Sequence, residues 1–135
     1  MDSVYPLGYS VGMSVLTITQ DSFQSVTELP GIVFLDCWAA WCAPCRMFKP
    51  VFEKASEDHP DITFGSIDTE KESALAGYLG ITSIPTIMAF RDGIPVFAQP
   101  GALRGPDFTR LIDAVRGLDM DEVRAQMAEH VPAES

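Results

Sequence analysis

Basic residues are scarce in this chain: 9 Lys and Arg stand against 19 Asp and Glu over 135 residues, a net charge of -10. Such a surface repels a phosphate backbone, which argues against nucleic acid as a partner. Long apolar runs are missing as well. No stretch reaches the roughly 20 apolar residues of a membrane span, and Met1 to Met13 lack the basic, apolar, small-residue order of a secretory signal. The expectation is a soluble, cytoplasmic protein with no membrane partner. Neither an internal repeat nor a low-complexity segment occurs. Cysteine is limited to three residues, which is not the framework of a small disulfide-stapled secreted scaffold. Two of them form Cys42-Ala43-Pro44-Cys45, and in a reducing compartment that spacing reads as redox or metal chemistry.

What is present is enough apolar material, 47% of residues, to bury one sizeable core in a single domain. Residues 1–12 have no helical or strand period and read as a flexible lead-in. A domain is expected over residues 13–117. Val15 to Thr19 reads as a strand, and Asp21 as the cap of a helix through Phe23, Val26 and Leu29 that stops at Pro30-Gly31. The nearly continuous apolar run Ile32 to Trp38 marks a central strand covered on both faces. The cysteine pair then opens a helix with Met47, Phe48, Val51, Phe52 and Ala55 at helical spacing and Pro50 as an internal kink. Strands follow at Asp61 to Asp68, Thr86 to Phe90 and Pro95 to Gln99, the last two joined by an Arg91-Asp92-Gly93 turn. Helices are expected at Lys71 to Tyr78 and from Pro106 through Val115, with Gly117 just past the end of the second. This βαβαβαββα order implies an α/β fold, a central mixed sheet with helices on both faces. Residues 118–135 form an extension in which Asp119 and Glu122 have capping-box spacing, so an extra C-terminal helix is expected to about His130.

A thiol placed where a strand ends and a helix begins faces unpaired backbone N–H groups and the positive end of the helix dipole. Both stabilise a thiolate at Cys42. The thiolate is the nucleophile of disulfide exchange, so Cys42 can attack a disulfide and Cys45, one turn away, can resolve the mixed disulfide. Pro44 suits the first turn because the donor it lacks would be unpaired there. The rival is zinc, but four ligands are needed, and the remaining candidates are Cys37 on the other strand face and the distant His59 and His130. Both histidines read most simply as solvated surface residues.

The run Asp36-Cys37-Trp38-Ala39-Ala40-Trp41-Cys42-Ala43-Pro44-Cys45, followed by Pro50, Ile84-Pro85-Thr86 and Gly101-Ala102-Leu103, resembles the thioredoxins of the cytoplasmic bacterial type, over about Val15 to Gly117. The resemblance implies a thioredoxin fold and a protein disulfide reductase, with Cys42 the exposed nucleophile, Cys45 the buried resolving thiol and Asp36 a buried carboxylate that accepts the Cys45 proton. It implies a cis-proline at Pro85, which with Trp41, Pro44, Ile84, Gly101 and Ala102 shapes a groove for client proteins. The implied partners are disulfide-containing clients and an NADPH-dependent thioredoxin reductase. The protein is expected to act as a monomer that binds no cofactor and no metal, its redox group being the Cys42–Cys45 disulfide.

Three positions depart from the family pattern. Ala43 replaces the usual Gly. Ser66 stands where many thioredoxins have a Lys near the buried Asp, and losing that cation leaves Asp36 harder to ionise. Cys37 replaces an aromatic and reads as a buried, inert thiol facing away from Asp36. Two alternative functions share the fold: an oxidase or isomerase that donates its disulfide, and a binding module that uses the groove around Pro85.

Overall fold

The structure, a computed structural model, describes residues 14–129. The expected lead-in at residues 1–12, together with His130, lies outside the described residues. The elements are β1 (Val15–Thr17), α1 (Gln20–Thr27), β2 (Ile32–Trp38), α2 (Ala43–Asp58), β3 (Thr63–Asp68), α3 (Ser73–Tyr78), β4 (Thr86–Arg91), β5 (Ile94–Pro100), α4 (Gly105–Arg116) and α5 (Met120–Glu129). They build a five-stranded sheet in the order β1-β3-β2-β4-β5. β1, β3 and β2 run parallel, whereas β4 is antiparallel to both β2 and β5. The mixed sheet and the extra C-terminal helix are as expected.

β2 is central because nearly every one of its residues is buried, on both faces. On one face α2 and α4 supply Phe48, Phe52, Phe108, Ile112 and Val115, which pack with Phe34 and Phe64 from the sheet. These aromatics interlock edge to face, with Phe34–Phe108, Phe48–Phe108 and Phe52–Phe64 centroids each 5.3 Å apart. The other face holds Val33, Leu35, Cys37, Ile67 and Met88 against Phe23 and Val26 of α1, Leu75 of α3 and Leu79 just after it. Alternation along β2 thus sends Asp36 and Cys37 to opposite sides, which makes the phenylalanine face the wall behind the cysteine pair.

Several boundaries differ from the sequence reading. α1 is capped by Thr19 and not by Asp21: the Thr19 side chain accepts from the Ser22 N–H, and the Thr19 N–H in turn donates to the Ser22 hydroxyl oxygen. Ser22 thus completes a capping box, and β1 ends at Thr17. α3 starts at Ser73, because Asp68 Oδ1 accepts from the Glu70 and Lys71 N–H groups and holds that stretch as a turn. α2 is one helix from Ala43 to Asp58 with Pro50 inside it. In the hairpin between β4 and β5, Asp92 and Gly93 have φ of 53° and 82°, the paired left-handed geometry that a two-residue turn requires. At the C-terminal side, Asp119 Oδ1 caps α5 by accepting from Asp121 and Glu122 N–H. Arg91 Nη1 donates to the Val115, Arg116 and Leu118 carbonyls at 2.9, 3.1 and 2.9 Å, tying the end of α4 to β4.

Gly65 on β3 is required by close approach. A Cβ there would lie 2.7 and 2.8 Å from Ile18 Cγ1 and Cδ1 and 3.1 Å from Leu35 Cδ2, and both neighbours are fully buried. Gly65→Ala is expected to destabilise the fold by about 1–3 kcal/mol through overpacking. Urea unfolding measures this, and an unchanged midpoint would show that the two side chains repack freely.

Candidate functional site

The site forms where β2, the central strand of the mixed sheet, ends and α2 begins, the position at which an open α/β sheet presents its ligands. Cys42 is the N-cap of α2 and has extended backbone, φ -90° and ψ 112°, while Ala43 and Pro44 enter the first turn. Cys42 and Cys45 are joined as a disulfide with Cα atoms 5.2 Å apart. The Cys45 backbone N–H donates to Cys42 Sγ at 3.2 Å. That donor is one of the unpaired groups of a helix start, so in the reduced protein it faces a sulfur able to carry negative charge.

Around the pair, Cys42 Sγ lies 3.7 Å from the Ile84 carbonyl oxygen. The Ile84–Pro85 peptide bond is cis, and Pro85 is buried. The Gly101 N–H donates to the Pro85 carbonyl at 2.7 Å, which places Gly101, with φ 115°, and the exposed Ala102 after it beside the proline loop. Trp41 is 68% exposed, and its indole N–H donates to Glu70 Oε2 at 3.3 Å. Cys42 itself is only 4% exposed, against 3% for Cys45. The expected contrast between an exposed and a buried cysteine is thus nearly absent in the oxidised state, because the cap position, the neighbouring loops and the partner sulfur cover Cys42.

Behind the pair, Asp36 lies 4% exposed, and its Oδ1 has no hydrogen-bond partner among the described residues. Burial pushes its carboxyl up to about 7, opposed by the Lys49 ammonium. Asp36, Cys45, Ser66, Arg46, Lys49 and Glu53 share the wall of one cavity of about 390 Å³. Ser66, which carries no charge, is the register partner of Asp36 on β3, and the positive neighbour of the carboxyl stands on α2 instead. Cys37, on the far face of the sheet, is fully buried and its thiol is pushed up to about 12, first by burial and then by the Asp36 charge. It is far too weak an acid to act as a thiolate.

Two residues at the site were not singled out in the sequence. Lys49 was readable only as a residue four positions after Cys45 on the same helix face. Glu70 had no signal at all, since it meets Trp41 through a turn. His59 also departs from expectation: it is half-buried, with Nδ1 3.0 Å from Arg116 Nη2, and Arg116 pairs with Asp61 at 2.6 Å. The guanidinium beside Asp61 holds that carboxyl down at about 2.

The family model for thioredoxin matches residues 14–114. The chain belongs to the thioredoxin family. A Streptomyces coelicolor protein that bears a thioredoxin name is 47% identical over 116 residues, 86% of this chain and 87% of that protein. Among solved structures, the thioredoxin of Malassezia sympodialis aligns with a TM-score of 0.68 at 33% identity, covering 76% of this chain and 90% of that one. A mutant thioredoxin of Halobacterium salinarum aligns with a TM-score of 0.72 at 31% identity, covering 78% and 94%. The chain is thus a thioredoxin-type protein disulfide oxidoreductase, and its redox group is the Cys42–Cys45 disulfide.

Proposed function

We propose that this thioredoxin works as a cytoplasmic reductase of client-protein disulfides, acting as a monomer and re-reduced by a thioredoxin reductase with electrons from NADPH. The observation that carries the reading is the Cys42 sulfur at the N-cap of α2, receiving the Cys45 N–H at 3.2 Å. Cys42, as thiolate, attacks one sulfur of a client disulfide; the client S–S bond breaks, a mixed disulfide forms, and the client's other sulfur leaves as a thiolate. Cys45 then gives its proton to Asp36 and attacks Cys42 Sγ. The second client thiol is released, and two electrons have passed from the pair to the client. Asp36 suits the acceptor role because a buried carboxyl held near 7 can both take and release a proton at neutral pH. Trp41, Pro44, Ile84, Pro85, Gly101 and Ala102 form the client groove, in which backbone groups of the proline loop pair with an extended segment.

A reductase-coupled NADPH assay on a model protein disulfide, run beside an equilibrium with glutathione, tests the direction. Turnover together with a potential below that of the glutathione pool supports the reductase; absence of turnover with a high potential would mark an oxidase. Cys45→Ser is expected to accumulate covalent client complexes, seen as bands that vanish on adding dithiothreitol. Full activity of a Cys42→Ser, Cys45→Ser double variant in a cell would favour the binding-module alternative.

A further inference from the structure

The position of Lys49 gives the proton step a feature of its own. Asp36 is flanked in the sheet by Ser66 on β3 and Ile87 on β4, and β1 presents Val15 and Thr17 to the same cavity, so among the described residues no strand around it offers a cation. Among the described residues, the charged groups at the cavity besides Asp36 come from α2: Arg46, Lys49 and Glu53, with Cys45, a thiol in the reduced protein, beside them and Cys37 behind Asp36 on the other face. Arg46 is committed elsewhere, since its Nη1 donates to the Ala40 carbonyl at 2.8 Å. Lys49 is exposed and, among the described residues, makes no ion pair. It stands one helical turn after Cys45, with Phe52 continuing the same stripe, so the helix aims the ammonium along the wall that Cys45 and Asp36 share.

We propose that Lys49 is a positioning residue for the Cys45 proton transfer, its ammonium holding the ionised form of Asp36 across the cavity from α2 and thereby replacing a cation at position 66 of β3. This rests on the reading of Asp36 as the proton acceptor. When Cys45 gives up its proton the negative charge of Asp36 is lost, and it is restored when the proton leaves to solvent; Lys49 favours that restored state. The cation neither touches the client nor exchanges electrons. It acts only through the carboxylate.

The test follows the Asp36 carboxyl carbon by NMR in the oxidised full chain across pH 4 to 10, with Asp36→Asn used to assign the signal. Lys49→Met is expected to move the midpoint up by roughly half to one pH unit, the effect of removing one partly solvated charge at this range. Lys49→Arg, which keeps the charge, is expected to leave it in place, and Ser66→Lys added to Lys49→Met is expected to bring it back down. A midpoint unmoved in a folded Lys49→Met chain would overturn the proposal. The pH profile of client reduction is then measured for the same proteins. Parallel movement of profile and midpoint supports the proposal. A moved midpoint with an unmoved profile, or an Asp36→Asn profile identical to the parent's, would overturn instead the reading of Asp36 as acceptor, and with it the positioning role.

Discussion

Cys42→Ser is expected to lower the rate of protein-disulfide reduction by more than about 10³-fold while leaving the fold intact. A hydroxyl is a far weaker acid than a thiol, so the N–H groups at the start of α2 cannot hold it as an anion near neutral pH. Serine oxygen also forms no stable bond to the client sulfur that Cys45 could later displace. Cys45 does not substitute, because it lines the Asp36 cavity, whereas it is the Cys42 sulfur that lies beside the Ile84 carbonyl of the proline loop. The measurement is coupled NADPH oxidation with a model protein disulfide, alongside circular dichroism. A loss of less than about tenfold in a folded variant would remove Cys42 from the nucleophile's role.

The second large effect concerns stability. Asp36 is held at about 7 in the folded protein by burial, whereas an Asp in an unfolded chain titrates near 3.9. The folded state therefore binds the proton more tightly than the unfolded state. Its stabilising contribution is complete below about pH 4 and is lost as the pH rises toward 7, after which it changes no further. At about 1.4 kcal/mol for each pH unit between the two values, the loss is on the order of 4 kcal/mol. Urea unfolding of the oxidised protein at pH 4, 5.5, 7 and 8.5 is expected to show this decline, and Asp36→Asn is expected to remove most of it. The comparison uses the slope with pH, so the cost of burying an amide cancels. Parallel profiles for the two proteins would show that Asp36 ionises in the fold as easily as in the unfolded chain.

Much of the architecture was legible because burial leaves periodic marks. The run Ile32 to Trp38 could hardly be anything but a strand covered on both sides, and Phe48, Phe52 and Phe108 stood at helical spacings that later met in one aromatic cluster. The start of α1 was misread for a local reason: Thr19, Asp21 and Ser22 are all competent caps, and the choice among them is made by the reciprocal bond between Thr19 and Ser22. The redox pair was legible from spacing, but the cis bond before Pro85 was not, since a proline codes for both isomers and only family resemblance pointed to one. Lys49 was illegible for a tertiary reason. An exposed lysine on a helix is by default solvated, and only the approach of α2 to the sheet gives it a buried carboxylate to face. The same packing revised what Ser66 implied, for the charge missing from β3 has a counterpart on the helix.

None of Trp41, Ile84, Pro85, Gly101 or Ala102 contributes to the wall of the Asp36 cavity. Cys45 lines that cavity and is bonded to Cys42, whose sulfur lies by the Ile84 carbonyl, so the pair bridges the two sets of residues. In the proposed cycle a client held by the groove residues and a proton held by Asp36 therefore reach the cysteine pair by way of different residues, so a substitution in the groove can alter client choice without touching the surroundings of the carboxyl.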